Sequence, residues 1–255
     1  MILTGGSSGI GLGLLEGFLA RFPEARAINL SRSEPPLAAK GRLVHLASDL
    51  SSRSGRDEAL ARLREEILPA ARGPVLLVHN SGIGFHAPQS RADRADQLAT
   101  IEVNAAAPVH LTVALLPELR ALGGVVATVC STSAFQPTPV MATYGATKSF
   151  LLHWTLALGE ELRGTNLRTL ALCPGGTHTP FLPKAGLGGE VRSYWRLQEV
   201  DEVADAFFRG LARRRSLVVP GFVNRTVAAF AQLAPLRWSA PVAGHLLRRA
   251  RPRDA

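Results

Sequence analysis

Short apolar runs alternate along this chain with longer stretches in which apolar residues recur at helical spacing. The runs that predict strands fall at residues 2–4, 27–31, 43–47, 75–79, 124–130, 167–173 and 216–219. The stretches that predict helices fall at residues 11–21, 55–68, 92–119, 142–162 and 200–213. Strands that alternate with helices pair in parallel through right-handed crossovers. The pattern therefore predicts an α/β fold, a doubly wound parallel sheet of about seven strands with helices on both faces.

The pattern changes beyond Pro220, which divides the chain into residues 1–220 and a C-terminal helical, Arg-rich extension at residues 221–255. Apolar residues recur there at helical spacing in two segments separated by prolines. These residues are Val223, Val227, Phe230, Ala231 and Ala234, then Val242, Leu246, Leu247 and Ala250. Three interpretations stay open: two helices packed on the core or across a dimer, a surface for anionic lipid or an acyl carrier, or a frayed end.

Composition indicates one core-forming domain, since 46% of the 255 residues are hydrophobic. The formal charge is +9, and ten Arg against four acids from residue 201 onward supply +6 of it. Either a chain-wide Arg bias or an anionic partner explains this excess. No nucleic-acid motif accompanies it, so nucleic-acid binding is not expected. No leader and no membrane span are recognised, and Cys130 and Cys173 read as reduced, buried thiols. A cytoplasmic protein without a metal site is the expectation.

A glycine-rich string follows the first predicted strand and opens the first predicted helix. It reads Thr4-Gly5-Gly6-Ser7-Ser8-Gly9-Ile10-Gly11. Glycines let the backbone approach a pyrophosphate, and a helix N-terminus offers free N–H groups to it. We therefore predict dinucleotide contacts at Gly5, Ser7, Ser8, Gly9, Ile10 and Gly11, against the alternative of a plain turn.

The end of the second predicted strand bears on which dinucleotide is bound. An acidic residue there would favour NAD, whereas this strand ends in Ser31-Arg32-Ser33. Arg32 offers a fork of donors for a ribose 2′-phosphate, which favours NADP over NAD. Glu34 follows, and a solvated Arg32 is the alternative, so NAD stays open.

Tyr144 and Lys148 are four residues apart in a chain that has only two tyrosines and three lysines. Positions four apart share one face of a helix. An ammonium held there favours the phenolate and is expected to lower the pKa of Tyr144, which would suit a general acid/base. An unrelated surface pair is the alternative.

Together these residues resemble the short-chain dehydrogenase/reductase family over residues 1 to about 220. The cofactor loop has that family's Thr-Gly-x-x-x-Gly-x-Gly spacing, and the serine-to-tyrosine interval from Ser131 to Tyr144 is also similar. Further similar stretches are Asp49-Leu50, Asn80-Ser81-Gly82 and Pro174-Gly175-Gly176-Thr177-His178-Thr179. The chain departs from the family's Asn-Asn-Ala-Gly pattern at His79 and Ser81.

The resemblance implies a Rossmann-type domain with the catalytic residues Asn104, Ser131, Tyr144 and Lys148. Ser133 is kept as a neighbour in the pocket. It implies further cofactor contacts, which are Asp49, Leu50, Asn80, Gly82, Tyr144, Lys148, Pro174, Gly175, Thr177 and Thr179. The implied activity is hydride transfer between a nicotinamide and a carbonyl or secondary alcohol. Assembly as a homodimer or homotetramer, through the helices carrying Asn104 and Tyr144, is also implied.

The predicted substrate pocket is mostly apolar, which favours an apolar ketone or alcohol. Its candidate residues are Ile83, Phe85, His86, Phe135, Gln136, Met141, Phe181, Leu182, Tyr194 and Trp195, and His86 and His178 could tune binding. Gly186, Gly188 and Gly189 suggest a movable lid before the last core helix. A 3-oxoacyl reductase acting on a carrier- or CoA-bound chain is the main competitor, suggested by the basic tail. A dinucleotide sensor or scaffold without turnover is the alternative from another class.

Overall fold

The computed structural model describes residues 1–39, 41–187, 197–233 and 235–249. Its centre is a sheet of seven parallel strands in the order β3-β2-β1-β4-β5-β6-β7. The strands are β1 Ile2–Thr4, β2 Ala27–Ser31, β3 Leu43–Ala47, β4 Val75–His79, β5 Gly124–Val129, β6 Leu167–Leu172 and β7 Leu217–Val218. The predicted parallel sheet is confirmed, with the last three strands ending one residue early.

Helices connect successive strands, except β2 and β3, and cover both faces of the sheet. They are α1 Gly9–Arg21, α2 Arg53–Arg62, α3 Arg94–Ile101, α4 Ala107–Leu122, α5 Ala142–Glu161, α6 Phe181–Lys184, α7 Val200–Ala212, α8 Phe222–Leu233 and α9 Leu236–Arg249. Successive residues of a strand point to opposite faces. Leu3 accordingly packs in one core cluster with Phe207 of α7, whereas Ile2 packs in another with Leu111 of α4.

The predicted helix at residues 92–119 is divided by one wide turn. A π-helical turn at Glu102–Ala106 separates α3 from α4, and it carries Asn104. Such turns inside helices occur often at functional sites. Within the described ranges, Arg94–Leu122 is the one helical run long and apolar enough to cross a bilayer, and half of its most apolar window is buried inside the protein.

The C-terminal extension begins with a helix that packs on the sheet core. Ala228 of α8 is 3% exposed and lies in one cluster with Cys130 and Cys173, the residues that follow β5 and β6. Helix α9 follows after Pro235. Of the predicted tail positions, Ala234, Ala250, Arg251 and Arg253 lie outside the described residues, as do the side chains of Leu246, Arg248 and Arg249.

Candidate active site

The site lies where the chain reverses its direction of travel across the sheet. Strand β1 pairs with β2 on one side and β4 on the other, and Thr4 and His79 share one register row. Ligands of open α/β sheets bind at such a switch point, beyond the carboxyl ends of the strands. A cleft of about 1070 Å³ opens there.

Every residue predicted to contact the cofactor lines this one cleft. They are Gly5, Ser7, Ser8, Gly9, Ile10, Gly11, Arg32, Asp49, Leu50, Asn80, Gly82, Tyr144, Lys148, Pro174, Gly175, Thr177 and Thr179. Ser131 and Ser133 also line it, whereas Asn104 is fully buried and does not line it.

The glycine loop has the shape of a cradle for a phosphate. Gly5 adopts a φ of +72°, which favours glycine, and a Cβ on Gly11 would lie 2.1 Å from the Gly5 carbonyl oxygen. Ser8 precedes α1 without a side-chain cap, so the first N–H groups of the helix remain available for an anion. These residues fit a dinucleotide pyrophosphate.

Asn29, which sequence reasoning missed, fixes this loop from beneath. Its side chain is fully buried on β2, and its Oδ1 accepts a hydrogen bond from Gly6 N at 2.7 Å. Its Nδ2 donates to Ser31 Oγ at 2.7 Å and contacts His45 Nδ1 at 3.0 Å. The available signal was an amide inside the apolar strand 27–31, since a buried amide needs partners.

Asn80 fixes the same loop from β4. Its Nδ2 donates to the carbonyl oxygens of Thr4 at 3.1 Å and Gly5 at 2.8 Å. The Thr4 hydroxyl accepts in return from the backbone N–H groups of Asn80 and Ser81, both at 3.0 Å. His79 is one of the two positions where the chain departs from the family's Asn-Asn-Ala-Gly pattern. Its side chain is buried, and its Nε2 lies 2.7 Å from Thr112 Oγ1 of α4.

The adenosine end of the cleft carries the two predicted polar groups. Arg32 is exposed after β2, and Asp49 is exposed after β3. Two hydrogen bonds from Ser51, at 2.7 and 3.0 Å, hold the pKa of Asp49 below its usual value, and the charge of Arg32 acts in the same direction. Arg32 is therefore close enough to influence this end electrostatically.

At the other end, Tyr144 lies on the first turn of α5, close enough to Ser131 for the serine hydroxyl to act on the pKa of the phenol. Ser131 follows β5 and also accepts a hydrogen bond from Ser133 N at 3.1 Å. Of the two serines, Ser131 is the one that acts on the pKa of the phenol. Burial raises the pKa of Tyr144 to about 12, and the Ser131 hydroxyl opposes that rise.

Lys148 is buried one turn further along α5. Its Nζ donates to the Val129 carbonyl oxygen at 2.8 Å and lies 5.8 Å from the centroid of the Tyr144 ring. Burial lowers the pKa of Lys148. The expected lowering of the Tyr144 pKa by Lys148 is absent from the described structure, because burial of the phenol dominates and the ammonium is bonded to β5.

Asn104 joins the loop after β4 to α5. Its Oδ1 accepts from Ile83 N at 2.9 Å, and its Nδ2 donates to Ile83 O at 2.8 Å and to Thr147 Oγ1 at 3.1 Å. A Cβ on Gly82 would lie 3.2 Å from Lys148 Nζ and 3.5 Å from Asn104 Oδ1. Asn104 therefore lies beside Lys148, held by the backbone of the loop.

The substrate half of the cleft has apolar walls around Tyr144. Its ring packs against Phe181 at a centroid distance of 5.3 Å. Gly84, which sequence reasoning missed, makes room for that ring, since a Cβ there would lie 2.7 Å from Tyr144 Cδ2. Gln136 also lines the cleft, and its Oε1 is buried without a hydrogen-bond partner among the described residues.

Most of the predicted pocket residues line the cleft, and a few do not. Those that do are Ile83, Phe85, Gln136, Met141, Phe181 and Leu182. Phe135 instead belongs to the core cluster around Ala228. His86 contacts the Leu247 carbonyl oxygen at 2.9 Å, and His178 lies 3.6 Å from Glu199. Tyr194, Trp195, Gly188 and Gly189 lie outside the described residues.

Comparison with known proteins identifies the family. A family model for short chain dehydrogenases matches residues 1–187. A short chain dehydrogenase of Pseudocercospora fijiensis is 31% identical over 192 residues, which cover 70% of this chain and 59% of that protein. The chain thus covers less than two thirds of that relative's length.

Two solved structures are also similar. A short-chain dehydrogenase from Sphingobium yanoikuyae, in complex with NADPH, has a TM-score of 0.77 and 28% identity, covering 100% of this chain and 96% of that one. A 3-ketoacyl-(acyl-carrier-protein) reductase from Brucella melitensis, complexed with NADH, has a TM-score of 0.71 and 25% identity, covering 86% and 94%. With a family model that spans most of the chain and a matching fold, this protein belongs to the short-chain dehydrogenase family.

Proposed function

We propose that this protein is an NADP-dependent carbonyl reductase or alcohol dehydrogenase that acts on an apolar ketone or secondary alcohol. The observation that carries the proposal is that Ser131, Tyr144 and Lys148 line one end of a cleft shaped for a dinucleotide, where Ser131 acts to lower the pKa of the phenol. A paired hydroxyl and phenol offer two donors to one carbonyl oxygen, which is what protonation during hydride transfer needs.

Nicotinamide supplies or accepts the hydride when it is bound. In the direction of reduction, Tyr144 gives its proton to the developing alkoxide, and a raised pKa keeps that proton available at neutral pH. Ser131 holds the same oxygen by a hydrogen bond. Lys148, fixed by the Val129 carbonyl oxygen, keeps further ammonium donors for the ribose and for proton relay past Asn104.

The preference for NADP over NAD rests on Arg32, the exposed guanidinium beyond β2 at the adenosine end. The Sphingobium relative was solved with NADPH and the Brucella relative with NADH. NAD therefore remains the alternative cofactor, and the side chain to vary is Arg32.

An apolar substrate is supported by the walls around Tyr144, and Gln136 Oε1 adds one acceptor for a donor on the substrate. The second candidate is a 3-oxoacyl reductase acting on a carrier- or CoA-bound chain. The 3-ketoacyl reductase among its structural relatives and the basic C-terminal extension favour it.

We also propose a homodimer or homotetramer assembled through the outer faces of α4 and α5. Val113 of α4 is 62% exposed and Phe150 of α5 is 46% exposed. Phe150 and Ile101 line an open apolar groove of about 950 Å³.

Two neighbouring free cysteines, Cys130 and Cys173, fit the reducing cytoplasm that we expect for this protein.

A carbonyl panel followed by NADPH absorbance tests the proposal. It would contain free aliphatic and aryl ketones, matched 3-oxoacyl-CoA and acyl-carrier thioesters, and short polar carbonyls. We expect the fastest turnover with apolar ketones. Faster turnover of the thioesters would select the second candidate. Binding of NADPH without turnover of any member would leave a dinucleotide sensor.

A further inference from the structure

Helix α8 presents its large apolar side chains to solvent and its small or polar ones to the protein. Phe222, Phe230 and Leu233 are 73%, 74% and 82% exposed. Ala228 is 3% exposed, and Asn224 Nδ2 donates to Gln198 Oε1 and to Pro220 O, both at 2.9 Å. An amphipathic helix of a globular protein normally turns its apolar stripe toward the core. The apolar stripe of α8 instead faces solvent.

Helix α9 continues the same surface. Trp238 and Val242 are 63% and 62% exposed. Both also line the catalytic cleft, as does Phe230 of α8. The exposed apolar side chains of the two helices thus extend from the outer surface to the mouth of the cleft.

The segment of the chain that forms this surface has charges of almost one sign in its sequence. Residues 221–255 contain six Arg, no Lys and a single acid, Asp254. Two of these arginines flank the exposed aromatic rings: Arg225 lies 6.0 Å from the centroid of Phe222, and Arg237 lies 5.5 Å from that of Trp238. Aromatic and aliphatic side chains on one face with arginines beside them are typical of helices that lie in the interface of an anionic bilayer.

Two other occupants fit less well. A second copy of the chain on the same surface would bring arginines against arginines, and like charges across an interface are costly. An acidic acyl carrier would match the arginines, yet it would leave Phe222 and Leu233 without an apolar partner. A bilayer matches both the charge and the apolar face.

We propose that α8 and α9 form an interfacial docking surface for an anionic lipid bilayer, with the mouth of the cleft facing the membrane. An apolar carbonyl substrate dissolved in the lipid then reaches Tyr144 past Phe230, Trp238 and Val242 without crossing water. Docking itself is independent of the catalytic proposal, whereas delivery of the substrate rests on it.

The test is co-sedimentation of the full-length protein with vesicles of phosphatidylcholine alone or mixed with phosphatidylglycerol. Two double variants remove one feature each: Phe222→Ser with Leu233→Ser, and Arg225→Glu with Arg237→Glu. None of these four residues lines the cleft. The matched control is Arg53→Glu, an exposed arginine on α2. NADPH oxidation with a water-soluble ketone reports on folding and on the basal activity.

We expect the unmodified protein and Arg53→Glu to bind the anionic vesicles, with weaker binding to phosphatidylcholine alone. Each double variant should lose at least about tenfold in vesicle affinity while basal turnover is retained. Adding anionic vesicles should raise turnover of a lipid-soluble ketone by the unmodified protein and by Arg53→Glu, but not by the double variants.

Absence of vesicle binding by the unmodified protein, with turnover of the soluble ketone intact, would overturn the docking surface and leave the proposed function standing. If vesicles are not bound, capture of an acyl carrier would show that the carrier occupies this surface. Loss of a dimer in the variant Phe222→Ser with Leu233→Ser would show that a second copy does. Either result would overturn the docking surface for a bilayer. Vesicle binding without any carbonyl turnover would support docking and contradict the proposed function.

Discussion

Lys148 donates a hydrogen bond from Nζ to the main-chain oxygen of Val129 at 2.8 Å, which anchors the buried ammonium to the end of β5. This contact holds Lys148 in the wall of the cleft, with Nζ 5.8 Å from the centroid of the Tyr144 ring. Replacing it by Met removes the donors but keeps the length of the side chain. We expect Lys148→Met to weaken dinucleotide binding and kcat by at least about tenfold each, measured by fluorescence titration and by initial rates. An unchanged dissociation constant would remove Lys148 from the cofactor site.

Tyr144→Phe deletes the phenolic proton and keeps the ring that packs against Phe181. Because general acid catalysis contributes about 10²- to 10⁴-fold, turnover should fall by at least that range. NADPH affinity should stay nearly unchanged, since the ring remains in place. Steady-state rates and equilibrium binding, measured on one preparation, separate the two effects. Normal turnover by this variant would exclude Tyr144 as the proton donor.

Arg32→Asp tests which dinucleotide the cleft selects. A charge-assisted hydrogen bond to a 2′-phosphate is worth about 1.5–3 kcal/mol, so KM for NADPH should rise about tenfold or more. KM for NADH should change far less, because NADH lacks that phosphate. Arg53→Asp, at the start of α2 and outside the cleft, serves as the charge-matched control. Equal effects on both cofactors would show that Arg32 does not contact the 2′-phosphate.

Gly84→Ala tests the space that Tyr144 needs. The added Cβ would lie 2.7 Å from Tyr144 Cδ2 and must displace either the ring or the loop after β4. We expect kcat to fall by about tenfold or more, because catalytic geometry tolerates small displacements poorly. NADPH binding should change little. The control is Gly73→Ala, where a Cβ meets nothing within 4 Å, and it should leave both parameters unaltered.

Because His79 is buried, we expect the free energy of unfolding to fall at acidic pH. Burial lowers the pKa of His79 to about 3, whereas an unfolded histidine titrates near 6.5. Between these values the unfolded chain binds a proton that the folded protein does not, so stability falls as pH falls from about 6.5 toward 3. This histidine alone contributes about 1.4 kcal/mol per pH unit to that slope.

The variant His79→Asn removes the titrating group, and its shorter side chain also loses the contact of Nε2 with Thr112 Oγ1, so the slope against pH is compared rather than the stability at one pH. Urea unfolding at neutral and acidic pH should show a shallower loss of stability on acidification for this variant than for the unmodified protein. Exposed His153→Asn is the matched control and should retain the original slope. Parallel slopes for His79→Asn and the unmodified protein would contradict the buried neutral imidazole.

The sequence predicted the sheet and the cleft well because both depend on local patterns. Seven apolar runs separated by amphipathic stretches specify parallel strands, and the polar residues that end those runs must meet at one edge of the sheet. That is why the sequence alone assigns the residues after positions 4, 31, 47, 79, 129 and 172 to one cleft.

What only the tertiary structure decided are contacts between residues distant in sequence and the burial that they produce. The Tyr144 pKa is raised rather than lowered because burial of a phenol depends on Gly84, Phe181 and the loops that cover it, none of which lies near Tyr144 in sequence. In the sequence, Asn29 is one polar residue in an apolar strand. Only the fold brings Gly6 N within hydrogen-bond distance of its Oδ1. The helical spacing of α8 is visible in the sequence, but only packing of Ala228 on the core turns Phe222 and Leu233 outward.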